Sequence, residues 1–324
     1  MRQHADAPTG IRLSICIPTY NRPSLLLRAL ESVLSQDRPD IEVVVSDNSE
    51  GDESTSLCER MLDLPAGRHR YVMNRPGVGS VGNHNRCIDR ATGEWVLILH
   101  DDDYLLPGAV AAMLRAAQSA EPDEMALLFG VEVVNVEGKV WKRQAFKAAR
   151  YMQPREAMYH LLSNSSFVRP PGMVVRRRAY AMLGNFAEEM MGTTDIDMWS
   201  RLFSAFGVTC MPQVTAAYTV HAGALTTSVF EPGTLARVDA IFARIAGEGL
   251  VTETDVRRWQ RSFVHQFILG GSYRRIREKD RAGARKIMEL FALPAVRDLG
   301  ISLRWAPVRA AFAVLTVGTR SARS

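Results

Sequence analysis

Cysteine is scarce in this 324-residue chain, and the four present, Cys16, Cys58, Cys87 and Cys210, lie far apart with no C-x-x-C spacing. That excludes a disulfide framework and a cysteine zinc site, and it predicts four free thiols in a reducing compartment. Also missing is any apolar run of about eighteen residues, the minimum for a spanning helix. The longest candidate, AAFAVLTVG at 310–318, is too short. The opening MRQHADAPTG is polar and lacks the order of a signal peptide, so a cytoplasmic chain is the expectation, soluble or peripheral on the inner membrane face. No internal repeat or low-complexity segment occurs, and 47% apolar with 23% charged residues is the ordinary globular mixture.

What is present is unevenly charged. The formal charge is +5, but residues 232–324 hold 17 Lys+Arg against 8 Asp+Glu, leaving 23 against 27 in residues 1–231. The length suits two domains or one large one with an appendage, and the charge step places the boundary there: a body over 1–231 and a basic helical region over 232–324. Basic helices with an apolar face such as WAPVRAAFAVL are compatible with adsorption to anionic lipid, with a solvated appendage or with self-association. The pattern calls for no nucleic-acid partner.

The first hundred residues alternate in period. LSICIPTY, IEVVVSD, RYVM and EWVLILH read as strands, and SLLLRALESVLSQ, ESTSLCERMLD and NHNRCIDRA between them as helices. A helix beginning at Pro107 is expected to follow. Such alternation predicts an α/β fold, a Rossmann-like, mainly parallel sheet with helices on both faces and ligands at the carboxyl ends of the strands. Beyond residue 125, MALLFGVEVVN and KVWKRQ around VEGK read as a hairpin, GMVVRRRAY as a strand and DIDMWSRLFSAFG as a helix. From Pro232 onward the pattern is mostly helical.

Two motifs compete to define the chemistry. GVGSVG at 77–82 matches the G-x-G-x-x-G dinucleotide pattern, with Asp101 about twenty positions on, which would suit a nicotinamide oxidoreductase. That fingerprint belongs to the first strand-to-helix turn, whereas two strand–helix units precede this one. The other motif, ILHDDDYLLP, sets Asp101, Asp102 and Asp103 at the end of an apolar strand. Adjacent carboxylates repel one another and would repel a pyrophosphate unless a divalent cation lay between, a task that suits Mg²⁺ or Mn²⁺. A metal-bridged diphosphate accounts for the cluster; a solvated acidic turn before a helix is the plainer alternative.

SICIPTYNRP, IEVVVSDNSEGD, NRPGVGSVGNHNRCIDRATGEWVLILHDDDYLLPGAV and TTDIDMWSRL, in that order over roughly residues 11–222, resemble the family 2 glycosyltransferases of the GT-A fold. The resemblance implies a nucleotide-binding half over 11–122, an acceptor-side half over 123–231 and a helical C-terminal extension. It makes GVGSVG the turn into the helix before the metal-binding strand. Two positions depart from the family: His100 stands first where D-x-D-D is common, and Thr194 precedes Asp195 where E-D is usual.

By the same resemblance Pro18, Thr19 and Tyr20 border the nucleotide, with Tyr20 stacking near the base; a plain turn is the alternative. Asp47 would accept a hydrogen bond from a uracil-like imide, the alternative being an Asx turn in SDNSEGD. Arg75 would meet the base or diphosphate, or be an exposed turn residue. Asn85 matches a helix asparagine and would equally serve an inward backbone group. Asp102 matches the metal ligand, with Asp101 beside the nucleotide as well as the metal, and Asp103 and His221 as further candidates. Asp195 is implied as the general base: it shares a helix face with Trp199, whereas Asp197 lies four before Arg201 and predicts an exposed ion pair.

The function these readings imply is inverting transfer of a sugar from a nucleoside diphosphate, UDP first, to a carbohydrate or lipid-linked glycan hydroxyl, with Mn²⁺ or Mg²⁺, in polysaccharide or glycan synthesis. A non-catalytic nucleotide-sugar binding protein would keep Asp47 and Asp102 but lack a working base.

Overall fold

The computed structural model describes residues 10–62, 67–164, 166–221 and 230–316. The polar opening segment and the last residues of the basic tail lie outside them. The chain divides into two compact units, Met1–Pro154 with Val168–His221, and Arg155–Phe167 with Ala222–Ser324.

The first unit is built on one sheet. Its strands are β1 (Leu13–Thr19), β2 (Ile41–Asp47), β3 (His69–Met73), β4 (Trp95–Ile98), β5 (Tyr104–Leu105), β6 (Ala126–Val134), β7 (Val140–Gln144), β8 (Arg150–Met152), β9 (Met173–Arg176) and β10 (Val208–Thr219). The order is β3-β2-β1-β4-β9-β6-β10-β5, with β7 on β6 and β8 on β10. Strands β3, β2, β1 and β4 run parallel, so their carboxyl ends share one edge. Strand β9 joins this block to β6 by antiparallel pairing, and β6 and β10 are again parallel. The expected hairpin is present, with β6 and β7 antiparallel around a turn where Gly138 takes φ +78°.

Helices cover both faces because strand residues alternate. Leu13, Ile15 and Ile17 of β1 belong to a core with Leu26, Leu30 and Val33 of α1 (Pro23–Leu34), Leu57 and Cys58 of α2 (Glu53–Met61), and Val110 and Met113 of α4 (Ala109–Ser119). The residue between them, Cys16, points the other way and its thiol faces the carbonyl of Cys87 in α3 (Gly79–Arg90). Two expectations shift by a few residues. Helix α4 starts at Ala109, not at Pro107, because Gly108 at its N-cap adopts φ +79°. The strand read at GMVVRRRAY stops at Arg176, and the rest becomes α6 (Arg177–Leu183). The helix at the fourth motif, α7 (Thr194–Phe206), completes the unit.

The second unit is helical: α5 (Pro154–Ser163), α8 (Pro232–Gly247), α9 (Glu253–Arg277), α10 (Arg281–Met288), α11 (Pro294–Asp298) and α12 (Ala306–Thr316). Thr252 caps α9 by accepting the Asp255 N–H. The long helical pattern breaks after Arg277, where Lys279 takes φ +62° and Asp280 accepts the Gly283 N–H to start α10. Tyr159 of α5 meets Trp259 of α9 edge to face at 5.7 Å, so α5 belongs here although it lies within the body by chain order. No helix among the described residues is long and apolar enough to cross a membrane.

One buried carboxylate ties the parallel block together. Glu42 on β2 is fully buried and accepts from the Ser14 hydroxyl at 2.6 Å, the Thr92 N–H at 2.6 Å and the Thr92 hydroxyl at 2.9 Å, with Arg70 of β3 paired to its other oxygen. Glu42→Ala removes the acceptor and leaves the buried Ser14 hydroxyl, the half-buried Thr92 donors and Arg70 without it. We expect a loss of about 3 kcal/mol, the scale for breaking a buried pair. It is read as a lower urea midpoint, and an unchanged midpoint would show that Glu42 carries no such role.

Candidate functional site

At the shared carboxyl edge, three strand ends are laced by backbone bonds. The Asn48 N–H donates to Thr19 O at 3.0 Å and the Asn74 N–H to Asp47 O at 2.7 Å. Three buried asparagines extend the lacing: the Asn74 amide donates to the oxygens of Asn48 and Asn83, and the Asn83 amide to Thr19 O at 2.9 Å. Asn48 in turn donates to Gly79 O at 2.8 Å, at the start of α3. Here Gly79 has φ +76°, and a Cβ on Gly82 would lie 3.1 Å from the Val78 side chain. The glycines of GVGSVG therefore serve a tight helix entry, and the oxidoreductase reading finds no support in them.

The acidic turn sits beside this lacing. After β4 the chain turns through Asp101 and Asp102, closed by the Asp103 N–H to His100 O at 3.0 Å, and then enters β5. Strand β5 pairs with β10, with Tyr104 opposite Ala217, and this brings Thr219 and His221 back to the turn. Each carboxylate has its own neighbours. Asp101 accepts from the Thr19 hydroxyl at 2.8 Å and from Arg22 at 3.3 Å. Asp102 Oδ2 faces both Arg22 at 3.2 Å and His221 Nε2 at 2.8 Å. Asp103 Oδ1 accepts the Thr219 N–H at 2.8 Å. Its Oδ2 is buried with no hydrogen-bond partner among the described residues. Arg28 of α1 donates to the Asp102 carbonyl and to the Thr219 hydroxyl, and lies 4.8 Å from the centre of the Tyr104 ring.

These environments split the three carboxyls. Burial, then the charge of Asp102, pushes Asp101 up against the pull of Thr19, Arg22 and His100. Burial drives Asp103 well above the carboxylate range, with Asp102 adding to it. Burial would raise Asp102 as well, but His100, His221 and Arg22 together outweigh it and hold that carboxyl low. The turn thus keeps one firmly charged carboxylate between two that resist charge.

His100 has a partner that the sequence did not announce. Its Nε2 lies 3.0 Å from Nε2 of His84 in α3, and His84 Nδ1 lies 2.7 Å from Ser80 O. Burial, with His100 adding to it, brings His84 down to about 4, so it is neutral near pH 7. His100, Asp102 and Asp103 each offer a ligand atom, all within 4.8 Å of one another, the only such cluster of three among the described residues. Asp101 and His221 adjoin it through Asp102.

Asp195 lies in the first turn of α7, half-buried, and burial raises its carboxyl; the Ile196 N–H and then the charges of His100 and Arg169 oppose the rise. The same electrostatic neighbour, His100, acts on Asp102 and on Asp195. Asp197 corrects an expectation: it is buried, 3% exposed, while pairing with Arg201 at 2.9 Å. Arg201 also donates to the carbonyls of Leu183, Gly184 and Asn185, so the pair anchors the loop after α6.

The remaining candidates are dispersed. Pro18 is a buried residue of β1, and Tyr20 is exposed with its hydroxyl 3.3 Å from Glu50. Asp47 is fully buried: it accepts from the Ser49 N–H and the Tyr71 hydroxyl, each at 2.7 Å, the first being the Asx turn weighed above. Arg75 is exposed and paired with Asp52. Asn85 exchanges two hydrogen bonds with the backbone of Phe186, so it serves an inward backbone group. Arg22, Arg28, His84 and the asparagines were not singled out in the sequence. Arg22 lies inside the quoted SICIPTYNRP, but the sixteen-residue gap from His84 to His100 matches no ligand spacing.

An acidic site at the carboxyl edge of a parallel block, backed by a glycine-entered helix, lies where α/β folds bind their ligands. Residues 14–183 match the family described as Glycosyl transferase family 2, and the chain belongs to it. A Campylobacter jejuni protein, GalNAc(5)-diNAcBac-PP-undecaprenol beta-1,3-glucosyltransferase, is 36% identical over 132 residues, covering 40% of this chain and 41% of its own. The chain spans 66% and 41% of the lengths of the first two curated relatives it matches. Two solved structures share the fold. TarS 1-349 of S. aureus in complex with UDP-GlcNAc has a TM-score of 0.63 at 18% identity, over 94% of this chain and 88% of that one. The mannosyltransferase PcManGT of Pyrobaculum calidifontis in complex with GDP-Man and Mn²⁺ has 0.54 at 19%, over 97% and 83%.

The raised Asp103 carboxyl has a measurable consequence. Folding favours its protonated form, so its contribution to stability is present at low pH and is lost as pH rises from the usual carboxylate range towards the raised value. Asp103→Asn removes the buried charge and keeps an acceptor for Thr219. In EDTA at neutral pH we expect the variant to be more stable by about 1 kcal/mol or more. Added Mn²⁺ should raise the wild-type melting temperature and leave that of the variant nearly unchanged. A less stable variant in EDTA would show that the buried carboxylate is not a cost.

Proposed function

We propose that the protein transfers a sugar from a nucleoside diphosphate, UDP in the first instance, to an acceptor hydroxyl with inversion at the sugar carbon. The observation that carries this reading is the divided acidic turn: a charged Asp102 beside a buried Asp103 oxygen that lacks a partner. Such a donor set fits a divalent cation, Mn²⁺ or Mg²⁺, held by Asp102 and Asp103 with Asp101 and His221 adjoining. A bound cation supplies Lewis-acid neutralisation of the charge that gathers on the departing diphosphate.

The protein's own groups do the rest. Thr19 orients Asp101 through its hydroxyl, and Arg22 places a guanidinium between Asp101 and Asp102, where a diphosphate oxygen can take it over. Tyr20, exposed next to Thr19, offers a ring for the base; Pro18, Asp47 and the asparagines hold the strand ends beneath it. Arg75 is free to exchange its exposed partner Asp52 for a phosphate or base. Asp195 takes the proton of the acceptor hydroxyl as the new bond forms. Its raised carboxyl makes it a stronger base than an exposed aspartate, and it still ionises as pH rises above that value.

Calorimetry with UDP in Mn²⁺ and in EDTA, followed by transfer assays over a panel of nucleotide-sugars, tests the scheme. UDP should bind at least about tenfold more tightly with Mn²⁺, and Asp102→Asn should abolish that gain. Asp195→Asn should lower transfer by about a hundredfold or more, the usual worth of a general base, with UDP affinity in Mn²⁺ kept. Equal UDP affinity with and without metal would defeat the cation assignment, and full transfer by Asp195→Asn would defeat the base.

A lipid-linked acceptor fits the second unit. The C. jejuni relative is named for an undecaprenol-linked substrate. Here Leu303, Val314 and Leu315 are exposed close in sequence to Arg304 and Arg309 in a region rich in basic residues. Apolar side chains among arginines adsorb to anionic lipid. The chain should sediment with anionic liposomes at low salt and be released at high salt. Absence from the pellet at low salt would exclude lipid adsorption.

A further inference from the structure

Resting on the cation site just proposed, the structure assigns a nitrogen ligand to it. We propose that His100 completes that site with its Nδ1, alongside Asp102 and Asp103, and that His84 is the positioning residue that fixes the required tautomer. The carboxylates alone would make a site of oxygen ligands only.

The tautomer follows from the bonding order. A carbonyl oxygen only accepts, so His84, 2.7 Å from Ser80 O through Nδ1, carries its proton on that nitrogen. With one proton on each ring, that leaves His84 Nε2 bare, and at 3.0 Å from His100 Nε2 it is the acceptor. His100 thereby keeps its proton on Nε2 and presents Nδ1 to the cation, which takes the place of any proton held there. The two rings meet at 83° with centroids 5.1 Å apart, and Phe186 packs edge-on against His84 at 5.8 Å, which limits rotation of that ring. A ligating imidazole commonly gives its other N–H to an outer partner that sets its orientation. His84 is that partner.

Two further observations point to a cation. One atom each of His100, Asp102 and Asp103 lies within 4.8 Å of the others, a slightly expanded coordination set. Asp103 is 0% exposed, and its Oδ2 has no hydrogen-bond partner among the described residues. His221 is placed differently. Its Nε2 is committed to Asp102 Oδ2 at 2.8 Å, so it supports that carboxylate from outside the cluster. An imidazole among carboxylates moves preference away from Mg²⁺, which favours oxygen and retains water, towards Mn²⁺, Co²⁺ or Zn²⁺.

The test uses the full chain with Mn²⁺ and UDP, read by pulsed electron paramagnetic resonance for ¹⁴N coupling to the metal and by titration for affinity. Wild type and His221→Asn should show the nitrogen coupling. His100→Asp should lose it while still binding Mn²⁺, with its preference for Mn²⁺ over Mg²⁺ reduced. His84→Phe should weaken Mn²⁺ binding by about tenfold, the scale for removing an outer partner, and His84→Gln, whose amide oxygen can accept the N–H, should recover most of it. Bound Mn²⁺ without nitrogen coupling would overturn the His100 assignment and leave the cation site standing. Coupling lost in His221→Asn but kept in His100→Asp would transfer the role to His221. No Mn²⁺ binding at all would defeat the cation site and this ligand with it.

Discussion

Three consecutive carboxylates taken out of water at the end of β4 are the constraint around which the first unit is arranged. Asp101 and Asp103 are 5% and 0% exposed, and a turn of that composition would be repelled into solvent unless every neighbouring element supplied a counterweight. The elements do so from all sides. β1 brings the Thr19 hydroxyl, the start of α1 brings Arg22, α1 itself brings Arg28 to the turn's backbone, and β10 returns with the Thr219 N–H and His221. Among the described residues the counterweight is incomplete at Asp103 Oδ2. A buried acidic oxygen left bare in this way is a cost which a bound cation would relieve.

The same constraint explains the topology's usefulness. Parallel strands deliver Thr19, Asp47 and the acidic turn to one edge, but parallel pairing is slightly less stable per residue than antiparallel. The asparagines at 48, 74 and 83 fix the strand ends by side-chain amide hydrogen bonds that join β1, β2, the segment after β3 and α3. Asparagine suits this place because one side chain both donates and accepts without charge, so the neighbourhood gains no further carboxylate. The glycines of GVGSVG belong to this scaffold: they let α3 begin close to the strand ends, and α3 then delivers His84 to His100.

Much of this was legible in the sequence where the signal is periodic. Apolar alternation gave the parallel strands, the hairpin of β6 and β7, and α7, because burial of one face dictates both pattern and structure. Legibility failed where a single backbone angle or a distant contact decides. The left-handed Gly108 moved the start of α4 past Pro107, and the positive φ of Lys279 broke a helix that reads as continuous. Asp197 looked like one half of an exposed ion pair because spacing shows adjacency along a helix and not what lies over it. It is buried because Arg201 reaches the carbonyls after α6. His84 was invisible for the same reason: its meaning is a partner sixteen residues away on another element, across a turn whose geometry no spacing rule encodes.

His100 also links the two ends of the proposed reaction. It helps hold Asp102 charged, and its field opposes the rise of Asp195, so a change there reaches both the leaving-group side and the acceptor side. Asp195 is poised by opposition: burial favours the neutral acid, while its place in the first turn of α7 favours the anion through the helix N–H groups. Burial alone would make the group hold its proton more tightly, and exposure would make it a weaker base. A cation bound at Nδ1 of His100 would add positive charge nearby and draw Asp195 further towards its ionised form. Loading the donor site would then ready the base before the acceptor arrives, an ordering that follows from charge alone and needs no moving part.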